Sequence, residues 1–215
     1  MNYHRICVWT GPLGQTDGLM RTLTSLPGSS GLRDPLSRAF VRLTGAREAA
    51  PQLSSHIAPS TDLLVMRSPA AHAIGIDLRG FADDLHIFFL QHPDERLPAL
   101  TQAVDDPDWQ ERAYTWQEKL YLRFSAMGAN CLVLDANQWR NNPLATLRVI
   151  ARQLGVNPQD FRPVVPQHPE VWRGEAFLNL GFGAELREIC LDTYHRMYLQ
   201  AMQDFGMMES VAMPA

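Results

Sequence analysis

Lysine is almost missing from this chain: of its 19 basic residues one is Lys119 and the rest are arginine. Any mechanism that needs a lysine in the first half is excluded. Cysteine is scarce as well. Cys7, Cys131 and Cys190 make an odd number with no metal-ligand spacing, and Cys7 and Cys131 lie in apolar, strand-like runs. Buried structural thiols and a reducing compartment are the expectation. No apolar run approaches the roughly 18 residues of a membrane span, and no long apolar stretch follows the first basic residues, as a signal peptide would require. The chain therefore reads as cytoplasmic. Positive charge is not in excess either: 23 acidic residues against 19 basic ones leave a net charge of −4. Neither nucleic acid nor an acidic membrane surface is an expected partner. Internal repeats, a metal cluster, a Ser/His/Asp signature and a dinucleotide glycine fingerprint are all missing.

What is present suits one α/β domain. The 215 residues are 46% apolar and 20% charged, ordinary for a globular protein with a sizeable core. The expected domain covers 1–206, with 207–215 a flexible tail. Short apolar runs predict strands at Arg5–Thr10, Leu63–Arg67, Leu85–Leu90 and Cys131–Leu134. Helices are expected at Gly18–Ser25, from Asp34-Pro35 through Leu43, at Pro69–Ile76 and at Glu95–Val104. Others are expected at Trp109–Met127, Asn142–Gly155 and Ala184–Phe205. The segment from Pro27 to Gly31 reads as a turn, and Ala46–Ser60 as a loop. Strands alternating with helices predict a parallel sheet covered on both faces. Ligands bind such sheets beyond the C-terminal strand ends, so loops 11–18, 67–72 and 91–99 should converge.

The first of these loops contradicts itself. Trp9-Thr-Gly11-Pro-Leu13-Gly14-Gln-Thr16-Asp17-Gly18 leads from a buried strand into a helix, a layout that presents backbone N–H groups to an anion. Yet it holds no Lys or Arg, and Asp17 puts a negative charge where a phosphate would sit.

The order of motifs resembles a bacterial sulfotransferase-like P-loop family. That family opens with strand–Gly-Pro-Arg-x-x-Ser-Thr–helix, similar to Gly11-Pro12-Leu13 through Thr16-Asp17. Its acidic residue before Pro-Leu is matched by Asp34-Pro35-Leu36. Its Lys with a downstream His is matched by Arg67 and His72. Its Arg-Asp-Pro strand end and Leu-Pro-Ser-Leu helix stand against Leu90-Gln91-His92-Pro93 and Leu97-Pro98-Ala99-Leu100. Val133-Leu-Asp135-Ala-Asn137, Asn142-Pro143 and Leu154-Gly155 resemble its last strand–helix unit, and Pro166–Phe182, with Trp172, its substrate-side loop.

The resemblance implies a three-layer, P-loop NTPase-like parallel sheet flanked by helices. It also implies transfer of a sulfuryl group from 3′-phosphoadenosine 5′-phosphosulfate (PAPS). The departures fall on the donor positions: the family's first-loop Arg is Leu13, its last loop hydroxyl is Asp17, its 3′-phosphate Arg is Gln91, and that residue's Ser partner is Ala99. A charge-assisted hydrogen bond contributes about 1.5–3 kcal/mol, roughly ten- to a hundred-fold in affinity. Together these losses, with the carboxylate added at Asp17, imply an eroded donor site. No cofactor is expected, or PAPS and its product PAP if the site survives through a residue such as Arg21, Arg67 or Arg96.

Residues with chemistry remain. Asp34 is a candidate general base, or else a cap on the helix after Pro35. His72 is a proton shuttle or an anion holder, or else a helix-surface or satisfied core histidine. Arg67 can bind an anion bidentately or form a structural ion pair. Thr16, Asp17 and Gly14 would line the anion site, with Asp17 meeting a ligand amine or an arginine. Trp172 walls an acceptor pocket or simply packs, and His92 positions its loop or takes part in catalysis, the former being favoured. Three functions follow. The first is a repurposed enzyme of small-molecule, specialised metabolism, acting without the nucleotide donor on a sulfated or otherwise activated substrate. The second is a non-catalytic subunit supporting a protein partner or a homo-oligomer. The third is a diverged, PAPS-dependent sulfotransferase.

Overall fold

Alternating side chains build the central strand. In β1, Arg5–Thr10, Ile6 and Val8 face one side of the sheet and Cys7 and Trp9 the other, and all four are fully buried. A strand covered on both faces has no polar side, which is why it reads as a continuous apolar run. The computed structural model describes residues 3–11, 16–36, 62–73, 75–95, 107–164 and 184–211. It places β1 at the centre of a five-stranded parallel sheet with β2 (Ser29–Arg33), β3 (Leu63–Pro69), β4 (Leu85–Leu90) and β5 (Asn130–Asp135). The strand order is β2-β3-β1-β4-β5.

Helices cover both faces. On one side Ile6, Val8, Val65, Ile87 and Leu134 share a core with Leu19 and Leu23 of α1 (Asp17–Leu23) and with Leu147, Ile150 and Leu154 of a later helix, Pro143–Leu154. On the other, Cys7, Trp9, Met66, Phe88 and Val133 meet Leu120 and Phe124 of α2 (Pro107–Ala126). Tyr194 and Met197 of the last helix, Ala184–Val211, complete that core. The expected three-layer α/β fold is therefore present. A short helix, α3 (Ala136–Asn141), follows β5 and is started by the Asp135 carboxylate, which accepts from the N–H groups of Asn137 and Gln138. Pro143–Leu154, α4, begins with Asn142 capping the Ala145 N–H at 3.2 Å and ends at Gly155 with φ 67°. These are the start and stop signals visible in the sequence. The last helix, Ala184–Val211, is α5.

Three expectations need correction. Ser29–Gly31 is not a turn: the chain turns at Pro27-Gly28 and is strand β2 from Ser29. Gly28 is required there, since φ is +73° and an added Cβ would meet the Asp62 carboxylate at 2.5 Å. As an edge strand β2 pairs with β3 alone and keeps no fully buried side chain, so it lacks an apolar signature. The expected helix Pro69–Ile76 is instead the end of β3 followed by a single 3-10 turn, Ala70–Ala73. β3 runs on to Pro69 because that residue still registers with Thr10 of β1. The last helix continues past its expected end at Phe205 to Val211, and Met202, at helical spacing from buried Met197 and Cys190 and so a core position by its sequence pattern, is exposed. The expected helices through Leu43 and Val104 extend beyond the described residues.

Candidate active site at the C-terminal edge of the sheet

Strand ends gather the charged residues. Arg33 is the last residue of β2 and is the register partner of Arg67 near the end of β3. Asp17 opens α1, the helix that follows β1. Arg67 Nη1 donates to Asp17 Oδ1 and to Thr16 Oγ1, both at 3.3 Å, and Arg33 Nη2 lies 3.5 Å from the same Asp17 oxygen. Of the two alternatives open for Asp17, the structure shows pairing with arginine. Thr16 precedes the helix without capping it through its side chain; its hydroxyl goes to Arg67 instead.

The same strand ends carry an acid–base pair. His72 Nδ1 lies 2.8 Å from Asp34 Oδ1, and Ser68 Oγ donates to the same oxygen at 3.3 Å. The Asp34 N–H donates to the Arg67 carbonyl at 2.6 Å, tying β2's exit to β3. Asp34 is also the one non-glycine residue among those described with positive φ, at 48°. That left-handed backbone costs roughly 1 kcal/mol for an L-residue and differs from the extended geometry of a helix N-cap. Its carboxylate turns to His72 and Ser68. The capping alternative for Asp34 is thus disfavoured, and so is the buried-core alternative for His72, which is partly exposed. An imidazole that donates Nδ1–H to a carboxylate carries its lone pair on Nε2, the tautomer of a proton acceptor.

Two of the three loops expected to converge meet, at Thr16-Asp17 and Arg67–His72. Of the third, residues 91–95 are described, and 96–99 lie outside the described residues. Gln91 is buried just past β4. The His92 ring meets Tyr194 of α5 edge-on at 4.8 Å, and its Nδ1 accepts from the Asp94 N–H, a loop-positioning role. The Tyr194 hydroxyl donates to buried Asp135 at 2.7 Å; burial and that carboxylate hold the phenol well above its ordinary range. Leu13, Gly14, Ala99 and Trp172 lie outside the described residues, as does Arg96. Cation-ligating clusters are not found among the described residues, and no helix among them is long and apolar enough to cross a membrane.

Arg33, Ser68 and Gln117 carry no sequence signal as site residues. Arg33 was invisible because β2 was. Gln117 reads as a polar position on a helix, yet it is buried and donates through Nε2 to the carbonyls of Trp9 (3.1 Å) and Phe89 (3.0 Å). It therefore clamps β1 to β4, the strand pair whose outgoing connections run in opposite directions and open a crevice.

No family model matches the sequence, and no curated protein matches it. Among solved structures, the sulfotransferase from Alicyclobacillus acidocaldarius is similar over 96% of this chain and 96% of its own, with a TM-score of 0.55 and 15% identity. What that likeness shows is the fold: the chain has the α/β arrangement of a bacterial sulfotransferase.

Proposed function

We propose that this chain is an enzyme that performs acid–base chemistry on a small anionic molecule, sulfated or otherwise activated, without a nucleotide sulfuryl donor. One observation carries the reading. The Asp34–His72 pair at 2.8 Å is joined to Arg67 through the Asp34 N–H to Arg67 carbonyl bond, and the Arg67 guanidinium is engaged by Asp17 at the start of α1. The fold's proton-transfer and anion-holding groups remain, while a carboxylate takes the place of a donor phosphate.

The chemistry is a ring closure or elimination. His72 takes a proton from the substrate's nucleophilic O–H or N–H, or from carbon, and Asp34 stabilises the imidazolium that forms. The carbon–oxygen bond to the sulfate breaks, and the sulfate departs with the bonding pair. Arg67 neutralises that anion as it develops.

The match to a sulfotransferase over 96% of both chains favours a second reading, that of a PAPS-dependent enzyme. Calorimetric titration with 3′-phosphoadenosine 5′-phosphate separates them: the donor-free reading expects no binding at millimolar nucleotide, and micromolar binding would replace it with the second. Turnover of a panel of sulfate and phosphate esters is the positive test. Asp34→Ala and His72→Ala should each lower it about a hundredfold or more, and intact turnover in both variants would sink the proposal. A chain that binds no nucleotide and turns over nothing, but copurifies with an enzyme, would be the non-catalytic subunit.

A further inference from the structure

Arg33 and Arg67 are register partners on adjacent parallel strands, so their side chains leave the same face of the sheet about 4.8 Å apart. Like charges at that spacing repel, and a single carboxylate oxygen holds both. Among the described residues, two guanidinium groups share one carboxylate, which leaves an excess positive charge. One oxygen also uses few of the five N–H donors that each guanidinium carries. The contacts are loose. At 3.3 and 3.5 Å they exceed the roughly 2.7–2.9 Å of a good charge-assisted bond. Elsewhere in the same molecule, Arg140–Glu95 and Arg196–Glu118 close to 2.6 Å. Asp17 and Arg33 are also more than half exposed.

We propose that Arg33 and Arg67 form a fork for a tetrahedral oxyanion, the sulfate or phosphate group of an ester, and that Asp17 is a built-in competitor which this group displaces. The inference rests on the site reading above and names its substrate class. A tetrahedral anion offers several oxygens, enough for both guanidinium groups and the Thr16 hydroxyl at once, where Asp17 offers one. A simple monoanion gains nothing over Asp17, which is already present at the high local concentration of a tethered group. Asp17 thus filters anions by shape and charge. The fork is tied to the acid–base pair through the Asp34 N–H to Arg67 carbonyl bond.

The test is calorimetric titration of inorganic sulfate and of inorganic phosphate, at fixed ionic strength. The proteins are the wild-type chain, Asp17→Asn, Asp17→Ser and the double variant Asp17→Asn/Arg33→Gln, each checked for a cooperative melt. Both single variants should bind one or both anions about tenfold tighter than wild type, and Arg33→Gln should remove most of that gain. Preference for sulfate or for phosphate names the ester class, and both results support the fork. Equal affinity in wild type and the Asp17 variants, or a gain that survives Arg33→Gln, overturns it. Inorganic anions need neither turnover nor nucleotide. Failure here leaves the acid–base reading standing, and absent turnover leaves the fork standing.

Discussion

The two edges of the sheet use the same residue types to opposite ends. At the N-terminal edge, Arg5 Nε pairs with Asp84 Oδ2 at 2.8 Å with side-chain exposures of 15% and 8%. Arg5 also donates to the Gly80 carbonyl and lies over the Phe81 ring, and the Cys7 thiol donates to Asp84. Near it, His86 is fully buried, accepts from Trp9 Nε1 at 3.0 Å, donates from Nε2 to the Phe81 carbonyl and stacks on Phe124. At the C-terminal edge, Arg33 and Asp17 are 60% and 59% exposed, the ion pairs are longer, and Asp34–His72 is reachable. A buried, saturated set of polar groups specifies structure. A half-exposed set with donors to spare can serve a ligand.

The comparison breaks most visibly under mutation of the buried pair. Arg5→Ala leaves the Asp84 charge buried without its arginine and should cost about 3–5 kcal/mol in urea unfolding. A loss below about 1 kcal/mol would mean that the N-terminal edge is no more structural than the C-terminal one. His86 comes next. Burial pushes its pKa down from 6.5 to about 4. The folded state refuses a proton that the unfolded chain accepts below pH 6.5. Stability is therefore full above that pH and falls as pH drops toward 4, by roughly 3 kcal/mol. His86→Gln should flatten that pH dependence by up to one proton.

Gln117→Leu removes two buried bonds that clamp β1 to β4 and should cost about 1–2 kcal/mol, read from the same unfolding curves. The smallest stability effects belong to the open edge. Asp17→Asn should change stability by less than about 1 kcal/mol, as exposed ion pairs contribute little. Asp34→Asn, which tolerates the same left-handed backbone, should also stay within about 1 kcal/mol of wild type while lowering turnover about a hundredfold or more. A large destabilisation from either would move that residue into the structural class.

How legible each element was follows from its surroundings. β1, β3, β4 and β5 are covered on both faces, so their apolar runs announced them; α4 announced itself through Asn142, Pro143 and Gly155. β2 did not, because a polar edge strand has no periodic signal. The turn after Pro69 was misread because Pro suits both a strand end and a helix start. In the site, Asp34, His72, Arg67, Thr16 and Asp17 were legible as a group through a resemblance in motif order. Arg33 and Ser68 were not, since their place depends on pairing between segments about thirty residues apart. His86 looked like one more strand residue.

Local composition alone determined that this chain would form a parallel α/β sheet, with no lysine or arginine between β1 and α1 and with Asp17 at the start of that helix. Those properties depend on residues near one another in the chain. Tertiary structure decided what the acid does: register between β2 and β3 set two arginines side by side, and the exit of β1 brought Asp17 between them. It likewise decided which histidine is buried and which is reachable. Desolvation and partner geometry are properties of the folded surroundings, and two identical side chains acquire different chemistry from them.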